Sequence, residues 1–441
     1  MQLRRKTTLL GFILGTAFLA LMLRPSNLAQ TAEPPEQKAY FSSLNALLKT
    51  EMRDLPCAVL DLDRIDHNIA VVKSRIHSPR KLRIVVKSLP SIDLIRYITE
   101  KAGTRRLMVF HAPHVVMLLK ELGDLDILMG KPMPASAARE VLIEMPRAAR
   151  QVQWLDDTPD RMNNYLKVAR ELGVKLKISA EIDVGLHRGG ARNGTELDEL
   201  LKIIRDNPSS LEFAGLMGYD GHVSHAPWYL YFGQQRAIHK AFEGVIKSYA
   251  EFVRDAKAFN PAWFKGQAGE KLTLNGVGSH TYALYENVET PINDFSLGSG
   301  MVKPADFSDA GLAAHEPALY VAIPILKKMS TPPIPFLEPL WGLLMAWDPN
   351  IQRSFYIYGG VWDAEIVHPR GLMPGWFYDA AIVNLLPNQS LLSGSASVNA
   401  NVGDYIFIHP REGDGMTVYH DIVAVRGGKA VAHWRPFPLL N

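Results

Sequence analysis

The chain has 441 residues, of which 47% are hydrophobic, and a formal net charge of +3 at pH 7. Acidic and basic residues are interspersed without a basic stripe, which argues against nucleic acid as the partner. The single cysteine, Cys57, excludes an internal disulfide and any zinc or iron–sulfur site built from several cysteines. This length suits one large barrel or two to three domains.

The first residues have the pattern of a targeting segment. MQLRRK is followed by the apolar run TTLLGFILGTAFLALML and then by the polar RPSNLAQTAEPPEQ. The run is somewhat long for a signal peptide and short for a membrane span of about 20 residues. We therefore keep both interpretations for residues 1–40, a signal peptide or a membrane anchor with its linker, and narrowly prefer an uncleaved anchor. Because Arg4, Arg5 and Lys6 should stay in the cytoplasm, the folded part is predicted to be periplasmic, anchored or secreted.

From Leu82 onward one pattern repeats, a short apolar run followed by an amphipathic stretch. This pattern predicts βα units. One helical stretch, TPDRMNNYLKVARELG, opens with Thr158 as cap and Pro159 in the first turn. The candidate strands are LRIVVK, RRLMVFH, DILMGK, VQWLDD, KLKISAEIDV, LEFAGLMGYDG, KLTLNGVGS and DFSLGSG. Eight such units predict an α/β fold, a (β/α)8 TIM-type barrel that we assign to residues 41–312.

In such barrels the chemistry lies at the carboxyl ends of the strands. The residues predicted there are Lys87, His111, Lys131, Asp183, Tyr219, Ser279 and Ser299. A lysine such as Lys87 is commonly an exposed rim residue, but its amine can also attack an aldehyde. The glycine-rich strand ends GVGSHT and SLGSG offer amides and hydroxyls that suit a phosphate. Pyridoxal phosphate, which carries both groups, is therefore the predicted cofactor.

After about Ala313 the pattern changes to proline-broken runs with strand-like alternation and glycine turns. Residues 313–441 are therefore predicted to form a β-rich C-terminal domain, with Gly427 and Gly428 as a hairpin turn. The segment LPCAVLDLDRIDHNI precedes the barrel. We expect it to begin as a strand and to pair with this second domain.

In order and spacing, these motifs resemble the fold-type III pyridoxal-phosphate enzymes, within them the D-threonine aldolase and D-serine dehydratase group, whose barrel is of the alanine racemase N-terminal domain type. The resemblance runs from about Asp54 to Phe437. LPCAVLDLDRIDHNI looks like the opening motif of the family, RIVVKS like its lysine motif and EIDVGLHRGG like its glycine and arginine motif. GLMGYDGH is similar to its tyrosine–glycine motif and GVGSHT to its phosphate-binding turn. DFSLGSG matches loosely, and VAVRGGKAVAHWRPF is close to the final hairpin.

The resemblance implies roles for individual residues. Lys87 would bind the cofactor covalently and act as the catalytic base, while Arg188 and Tyr219 would lie around the ring or its phenolic oxygen. The residues implied around the phosphate are Ser279, His280, Gly298 and Ser299.

Each assignment has a structural alternative. Arg188 can instead form an ion pair with Glu181 or Asp183. Tyr219 can be a packed core ring. Residues 298–299 can be an ordinary turn between a strand and a helix.

The chain departs from the family at the metal position. Metal-dependent members carry a histidine, one spacer and then a cysteine or aspartate, whereas this chain has Glu412, Gly413 and Asp414. Two carboxylates favour Mg²⁺ or Mn²⁺ over Zn²⁺. The alternative is a plain Asp-Gly turn that Glu412 only solvates. His409 and His420 are nearby substitute ligands, unless strand alternation places them on a solvated face.

The predicted function is a pyridoxal-phosphate-dependent lyase that acts on β-hydroxy D-amino acids, by aldol cleavage or dehydration. The first alternative is an amino-acid racemase, which needs an acid–base group on each cofactor face and for which His222 is a weak candidate. The second is a non-catalytic cofactor-binding protein, against which the β-rich domain argues. The expected partner is a small-molecule amino acid, with membrane contact only through the N-terminal segment, and a homodimer is compatible with the resemblance.

Overall fold

The computed structural model describes residues 24–30, 33–333, 336–358, 363–375 and 389–438. The predicted signal peptide or anchor run, residues 7–23, lies outside this range. Within the range, no helix combines the length and the apolar character that crossing a membrane requires.

The chain divides into two compact units. The barrel unit holds residues 60–319, 412–417 and the segment from 434 onward, and the β-rich unit holds the chain up to residue 59 together with 320–411 and 418–433. The predicted boundaries were 41 and 313. They differ because the helix Pro35–Glu51 and most of the strand β1 (Cys57–Asp61) pack in the core of the β-rich unit.

The barrel unit is a closed ring of eight parallel strands, so the predicted (β/α)8 barrel is confirmed. The ring closes between the first and last barrel strands, where Ile84 pairs with Leu297. The strands are β2 (Lys81–Val85), β3 (Arg106–Val109), β4 (Asp126–Met129), β5 (Val152–Asp156), β6 (Leu176–Glu181), β7 (Leu211–Gly218), β8 (Thr273–Gly276) and β9 (Asp294–Leu297).

Amphipathic helices surround the ring. In the helix Pro159–Leu172, Thr158 accepts a hydrogen bond from the amide of Arg161, and Gly173 ends the helix in the left-handed conformation. The α-helices of the barrel unit are Leu62–Arg75, Ile92–Ala102, Ala112–Leu122, Ala135–Glu144, Ala148–Gln151, Pro159–Leu172, Gly194–Asp206, Trp228–Tyr231, Gln234–Phe259, Gly266–Lys271 and Ser299–Val302.

The amino end of the barrel is filled by a buried polar network. Arg83 has no exposed surface, and its guanidinium donates to Asp294 at 2.6 Å and to Asp126 at 3.3 Å. The Asn275 amide also donates to Asp294, at 2.6 Å. Every charge in this group has a partner, so attractions within the network offset the desolvation penalty of burying it.

The β-rich unit is a nine-stranded sheet with the main order β13, β14, β11, β10, β1, β16, β17, and with β15 pairing β10 and β12. The predicted pairing of the β1 segment with this unit is confirmed. Gly427 and Gly428 have φ of 55° and 72° and form the predicted hairpin turn. The strands are β10 (Leu319–Ser330), β11 (Arg353–Tyr358), β12 (Ala364–His368), β13 (Leu372–Pro374), β14 (Gln389–Gly394), β15 (Tyr405–Pro410), β16 (Ile422–Arg426) and β17 (Lys429–Trp434).

The described part of this unit contains two α-helices, Pro35–Glu51 and Trp341–Trp347. The first buries Phe41, Leu44 and Leu48 against a core that includes Tyr320 and Phe407.

Candidate active site

Lys87 lies in a 3₁₀ turn, Val86–Ser88, directly after β2. Its neighbours Val86 and Ser88 are buried, whereas the lysine side chain is exposed. The Lys87 Nζ lies 5.6 Å from the centroid of the Phe110 ring. That ring packs on Gly130, where an added Cβ would lie 2.3 Å from it. The amine therefore stands in the barrel mouth beside an aromatic wall.

One cavity at the carboxyl ends of the strands encloses about 620 Å³, including its open end. Its apolar walls include Phe110, Met217 and Phe307. The structure brings to this cavity all the residues that were predicted to bind the cofactor, namely Lys87, Arg188, Tyr219, Ser279, His280, Gly298 and Ser299. His111, Lys131 and Asp183 also follow barrel strands but are not among the described residues that line it.

Backbone amides converge at one end of the cavity. The Ser279 hydroxyl accepts hydrogen bonds from the amides of Gly298 at 3.3 Å and Gly300 at 3.0 Å. The Ser299 hydroxyl donates to that of Ser88 at 2.9 Å, which ties the turn after β9 to the lysine turn. A Cβ at position 298 would lie 2.6 Å from a β2 carbonyl oxygen, so only glycine fits. Such a cluster of amides and hydroxyls suits an anion.

His280 is held by two neighbours at the same end. Its ring stacks on Phe307 with centroids 4.1 Å apart, and its Nδ1 lies 2.5 Å from an Asp309 carboxylate oxygen. The second Asp309 oxygen accepts from the amide of Gly311. The carboxylate favours the tautomer with a proton on Nδ1, which leaves Nε2 as the nitrogen for a further partner.

Tyr219 is framed by two glycines. An added Cβ at Gly221 or Gly278 would lie 2.4 Å or 2.8 Å from the tyrosine ring. The Arg188 guanidinium carbon lies 5.2 Å from the ring centroid. Burial and the neighbouring Asp220 raise the pKa of Tyr219 to about 12, and Arg188 acts in the opposite direction. The phenol therefore stays protonated and can donate a hydrogen bond.

Glu181 and Asp183, the two ion-pair partners expected for Arg188, lie in different environments. Glu181 is 8% exposed, and burial together with the charge of Asp157 raises its pKa to about 7, while Arg188 opposes that rise. Asp183 instead binds His187, whose Nδ1 lies 2.7 Å from a carboxylate oxygen. Of the two ion-pair partners expected for Arg188, Glu181 is the one whose charge interacts with it.

Sequence reasoning missed several residues of this site. Asp220 is fully buried and accepts a hydrogen bond from the Tyr285 hydroxyl at 2.9 Å, and burial raises its pKa. Its signal was its place inside the YDGH motif. Phe110 and Phe307 form part of the cavity wall. From the sequence alone, an aromatic residue that lines a cavity cannot be distinguished from one that packs in the core.

The predicted metal residues lie at the lysine turn. Residues 412–417 belong to the barrel unit, and Gly413 packs so closely that an added Cβ would lie 2.0 Å from the Ser88 carbonyl oxygen. Burial raises the pKa of Glu412, and the positive charge of Lys87 opposes that rise, whereas Asp414 adds to it. Two carboxylates thus stand near the cavity, Glu412 being close enough to interact with the lysine.

No set of three or more His, Cys, Asp or Glu side chains within the described ranges is arranged to hold a metal ion. Of the substitute histidines, His409 is 9% exposed with its ring centroid 5.5 Å from that of Tyr320, and His420 is exposed. His222 lines a neighbouring cavity with His187, and its Nδ1 is buried without a hydrogen-bond partner in the described chain. A metal at Glu412 and Asp414 would therefore need water or substrate oxygens as further ligands.

Part of the chain matches a known family model. Residues 60–256 match the family model "Alanine racemase, N-terminal domain". The alanine racemase of Ligilactobacillus salivarius is 24% identical over 222 residues, which are 49% of this chain and 57% of that enzyme. The match thus spans little more than half the length of that enzyme.

Solved structures share the fold over most of the chain. D-threonine aldolase from Filomicrobium marinum has a TM-score of 0.67 at 16% identity, with 87% of this chain and 95% of that chain covered. D-threo-3-hydroxyaspartate dehydratase from a Delftia species has a TM-score of 0.64 at 16% identity, with 87% and 97% covered. Alanine racemase from Bacillus anthracis has a TM-score of 0.63 at 15% identity, with 86% and 97% covered. These likenesses show that the chain shares the fold of these enzymes. The fold and the family-model match over residues 60–256 agree with the resemblance of its motifs to the fold-type III pyridoxal-phosphate enzymes.

Proposed function

We propose that the protein is a pyridoxal-phosphate-dependent lyase that acts on β-hydroxy D-amino acids. One observation carries the cofactor assignment, namely that every residue predicted to bind it lines a single cavity at the mouth of the barrel. The lysine amine can bind an aldehyde, and the cluster of amides and hydroxyls can bind a phosphate. The tyrosine and the arginine can contact the ring or its phenolic oxygen.

The residues present fit this cofactor. The Ser279 hydroxyl, which accepts from the amides of Gly298 and Gly300, would donate its own proton to the phosphate, and the two amides would add their positive ends beside it. Lys87 would bind the aldehyde, and Tyr219 and Arg188 would lie at the ring or its phenolic oxygen. When bound, the cofactor supplies an electron sink for the bond that breaks at the substrate Cα.

The protein supplies the proton transfers. Lys87 would hold the cofactor and, when its amine is free, would be the base on its side of the cavity. Tyr219 holds its proton at neutral pH because its pKa is raised to about 12. Glu412 and Asp414 would bind Mg²⁺ or Mn²⁺ through oxygen, and such an ion would polarise the β-hydroxyl of the substrate as a Lewis acid.

A racemase is the second candidate, and the sequence match to an alanine racemase favours it. Racemisation needs a second acid–base group on the face opposite Lys87. His222, the residue considered for that role, lines the neighbouring cavity and is not among the described residues around the cofactor cavity. We therefore prefer the lyase, for which the carboxylates near Lys87 offer a group suited to the β-hydroxyl.

The test is a panel of D- and L-amino acids given to purified protein loaded with pyridoxal phosphate. Aldehyde, keto acid and inverted product are measured with and without a chelator. We expect aldehyde or keto acid from D-β-hydroxy substrates alone, with activity restored by Mg²⁺ or Mn²⁺ better than by Zn²⁺. Inversion without cleavage would establish the racemase, and a yellow but inert protein would establish a binding role.

We also propose that the folded part lies outside the cytoplasm, tethered or released by the N-terminal segment. The basic start and apolar run of residues 1–23 support this location. Reporters that work on only one side of the membrane, fused after Tyr40, should be active outside the cytoplasm. Activity confined to the cytoplasm would contradict the proposal.

A further inference from the structure

The connection between β10 and β11 presents apolar side chains to solvent. Its helix Trp341–Trp347 is attached to the unit by the Trp341 indole, which is 6% exposed, packs on Ile351 and donates to the Thr331 carbonyl at 3.0 Å. Among the described residues, none is seen to cover the opposite side, whose apolar side chains are exposed. We call it the apolar ridge, and it consists of Phe336, Leu337, Leu340 and Leu343, which are 95%, 37%, 52% and 71% exposed.

The ridge is more than a scatter of exposed residues. Leu337, Leu340 and Leu343 follow one another at intervals of three, so they lie along one side of the turn and helix. Single exposed leucines are common on soluble proteins, whereas a group of neighbouring exposed apolar side chains usually marks a binding surface for a protein, a ligand or a membrane.

The chain that follows the N-terminal apolar run is fixed at this same place. Arg24, the first residue after that run, donates from Nε to the Trp347 carbonyl at 3.1 Å. Asn350, which is 3% exposed, accepts from the Leu28 amide at 2.9 Å and donates to the Ser26 carbonyl at 2.8 Å. The ridge helix and Asn350, which follows it, are therefore bonded to residues 24–28, which directly follow the apolar run.

Further contacts keep this segment from acting as a loose linker. Ala29 approaches Gly371 so closely that an added Cβ there would lie 2.5 Å from the Ala29 Cα. Glu33 lies 2.8 Å from the Nδ1 of His368, and both side chains are mostly buried. In a tethered protein, the residues after the membrane segment usually form a flexible linker, whereas here the described residues that follow the N-terminal run pack on the β-rich unit.

We propose that the apolar ridge contacts the lipid bilayer, as a second membrane contact beside the N-terminal run. Because Arg24 is bound at Trp347, any bilayer that takes up residues 7–23 comes within reach of the ridge helix. Insertion of amphipathic segments at a membrane surface uses large apolar side chains like these. The inference rests on the proposed extracytoplasmic location and is independent of the catalytic proposal. It replaces the expectation that the N-terminal segment is the sole membrane contact.

The test places a fluorescent label on the ridge in the full-length protein loaded with cofactor. Leu343→Cys is labelled with an environment-sensitive dye, and Val431→Cys is the matched control. Val431 is 52% exposed and lies on β17, at one end of the sheet and away from the β10–β11 connection. Native Cys57 has no exposed surface, so the unsubstituted chain should take up no dye.

The labelled proteins are bound to vesicles of phosphatidylethanolamine and phosphatidylglycerol that carry a nitroxide on the acyl chains. We expect the dye at position 343 to shift to shorter wavelength and to lose most of its emission, while the dye at position 431 keeps it. Adding Leu340→Asp should restore emission at position 343 without releasing the protein from the vesicles.

Two results would overturn the proposal. One is a dye at position 343 that the lipid nitroxide does not quench although the protein is vesicle-bound. If that dye is also shielded from iodide in solution, the N-terminal run of the same chain covers the ridge in place of lipid. The other is failure of the full-length protein to bind vesicles at all.

Discussion

Asp156 is a buried carboxylate with little to stabilise its charge. Its side chain has no exposed surface, and one oxygen accepts from the amides of Asp157 at 2.8 Å and Thr158 at 3.2 Å. The other oxygen is buried without a hydrogen-bond partner in the described chain. The Arg161 guanidinium lies 3.9 Å from the oxygen that accepts these two amides. Burial accordingly raises the pKa of Asp156 to about 7.

We predict that Asp156→Asn removes a pH-dependent loss of stability. An acid with a raised pKa in the folded state binds more protons folded than unfolded, so the wild type loses stability as pH rises from about 4 to about 7. From pH 5 to the raised pKa of about 7 there are about two pH units. Over this interval the free energy of unfolding of the wild type should fall by about 3 kcal/mol, with little further change up to pH 8. The variant keeps the oxygen that accepts the two amides and lacks the charge. Its free energy of unfolding relative to the wild type should rise by up to this amount over the same interval.

Urea unfolding of both proteins at pH 5 and pH 8 measures the difference. Glu199→Gln, on an exposed helix position, is the control and should change stability by less than about 0.5 kcal/mol at either pH. Glu181 titrates in the same range, but it does so in every protein compared and largely cancels. A difference between Asp156→Asn and wild type that is equal at both pH values would refute the reasoning, because the carboxylate would then ionise as it does in water.

Three further predictions concern the lysine turn. Lys87→Ala should lose the visible absorption of the bound cofactor and any borohydride-reducible adduct, whereas Lys131→Ala, at another strand end, should keep both. Glu412→Ala and Asp414→Ala should each lower turnover and leave that absorption intact, since in our proposal other residues hold the cofactor; indifference of turnover to both changes and to chelators would reduce the pair to a turn. Gly413→Val should lower turnover as well, because its Cβ would collide with the carbonyl of the lysine turn, and full activity in a folded Gly413→Val protein, checked by circular dichroism, would contradict that contact.

The barrel could be predicted because its signals are local. Each strand is a short apolar run that stops at a glycine or polar residue, and each helix repeats apolar residues at helical spacing. The boundary at residue 60 could not be predicted in this way. The helix Pro35–Glu51 follows a segment that reads as a linker, and only its burial against Tyr320 and Phe407, far along the chain, assigns it to the β-rich unit.

The candidate site was predictable where motifs carry it. Lys87, Tyr219 and Ser279 each stand in a motif whose order along the chain matches the family, and the structure gathers them at one cavity. The walls and the buried acids were not predictable. Whether Asp156 or Asp220 is buried depends on which elements pack over it. The local pattern of polar and apolar residues does not contain that information.

Lys87, which follows β2, shows what would separate a functional lysine from an exposed rim lysine. Its own exposure does not, because Lys87 is exposed. The difference lies in the turn around it, whose residue Ser88 is bound by the Ser299 hydroxyl and covered by Gly413. These contacts hold the backbone of the turn while the side chain stays free, and they bring an aromatic ring and a carboxylate to the amine. A nucleophile needs this combination of a fixed backbone and an accessible amine, whereas a rim lysine needs neither.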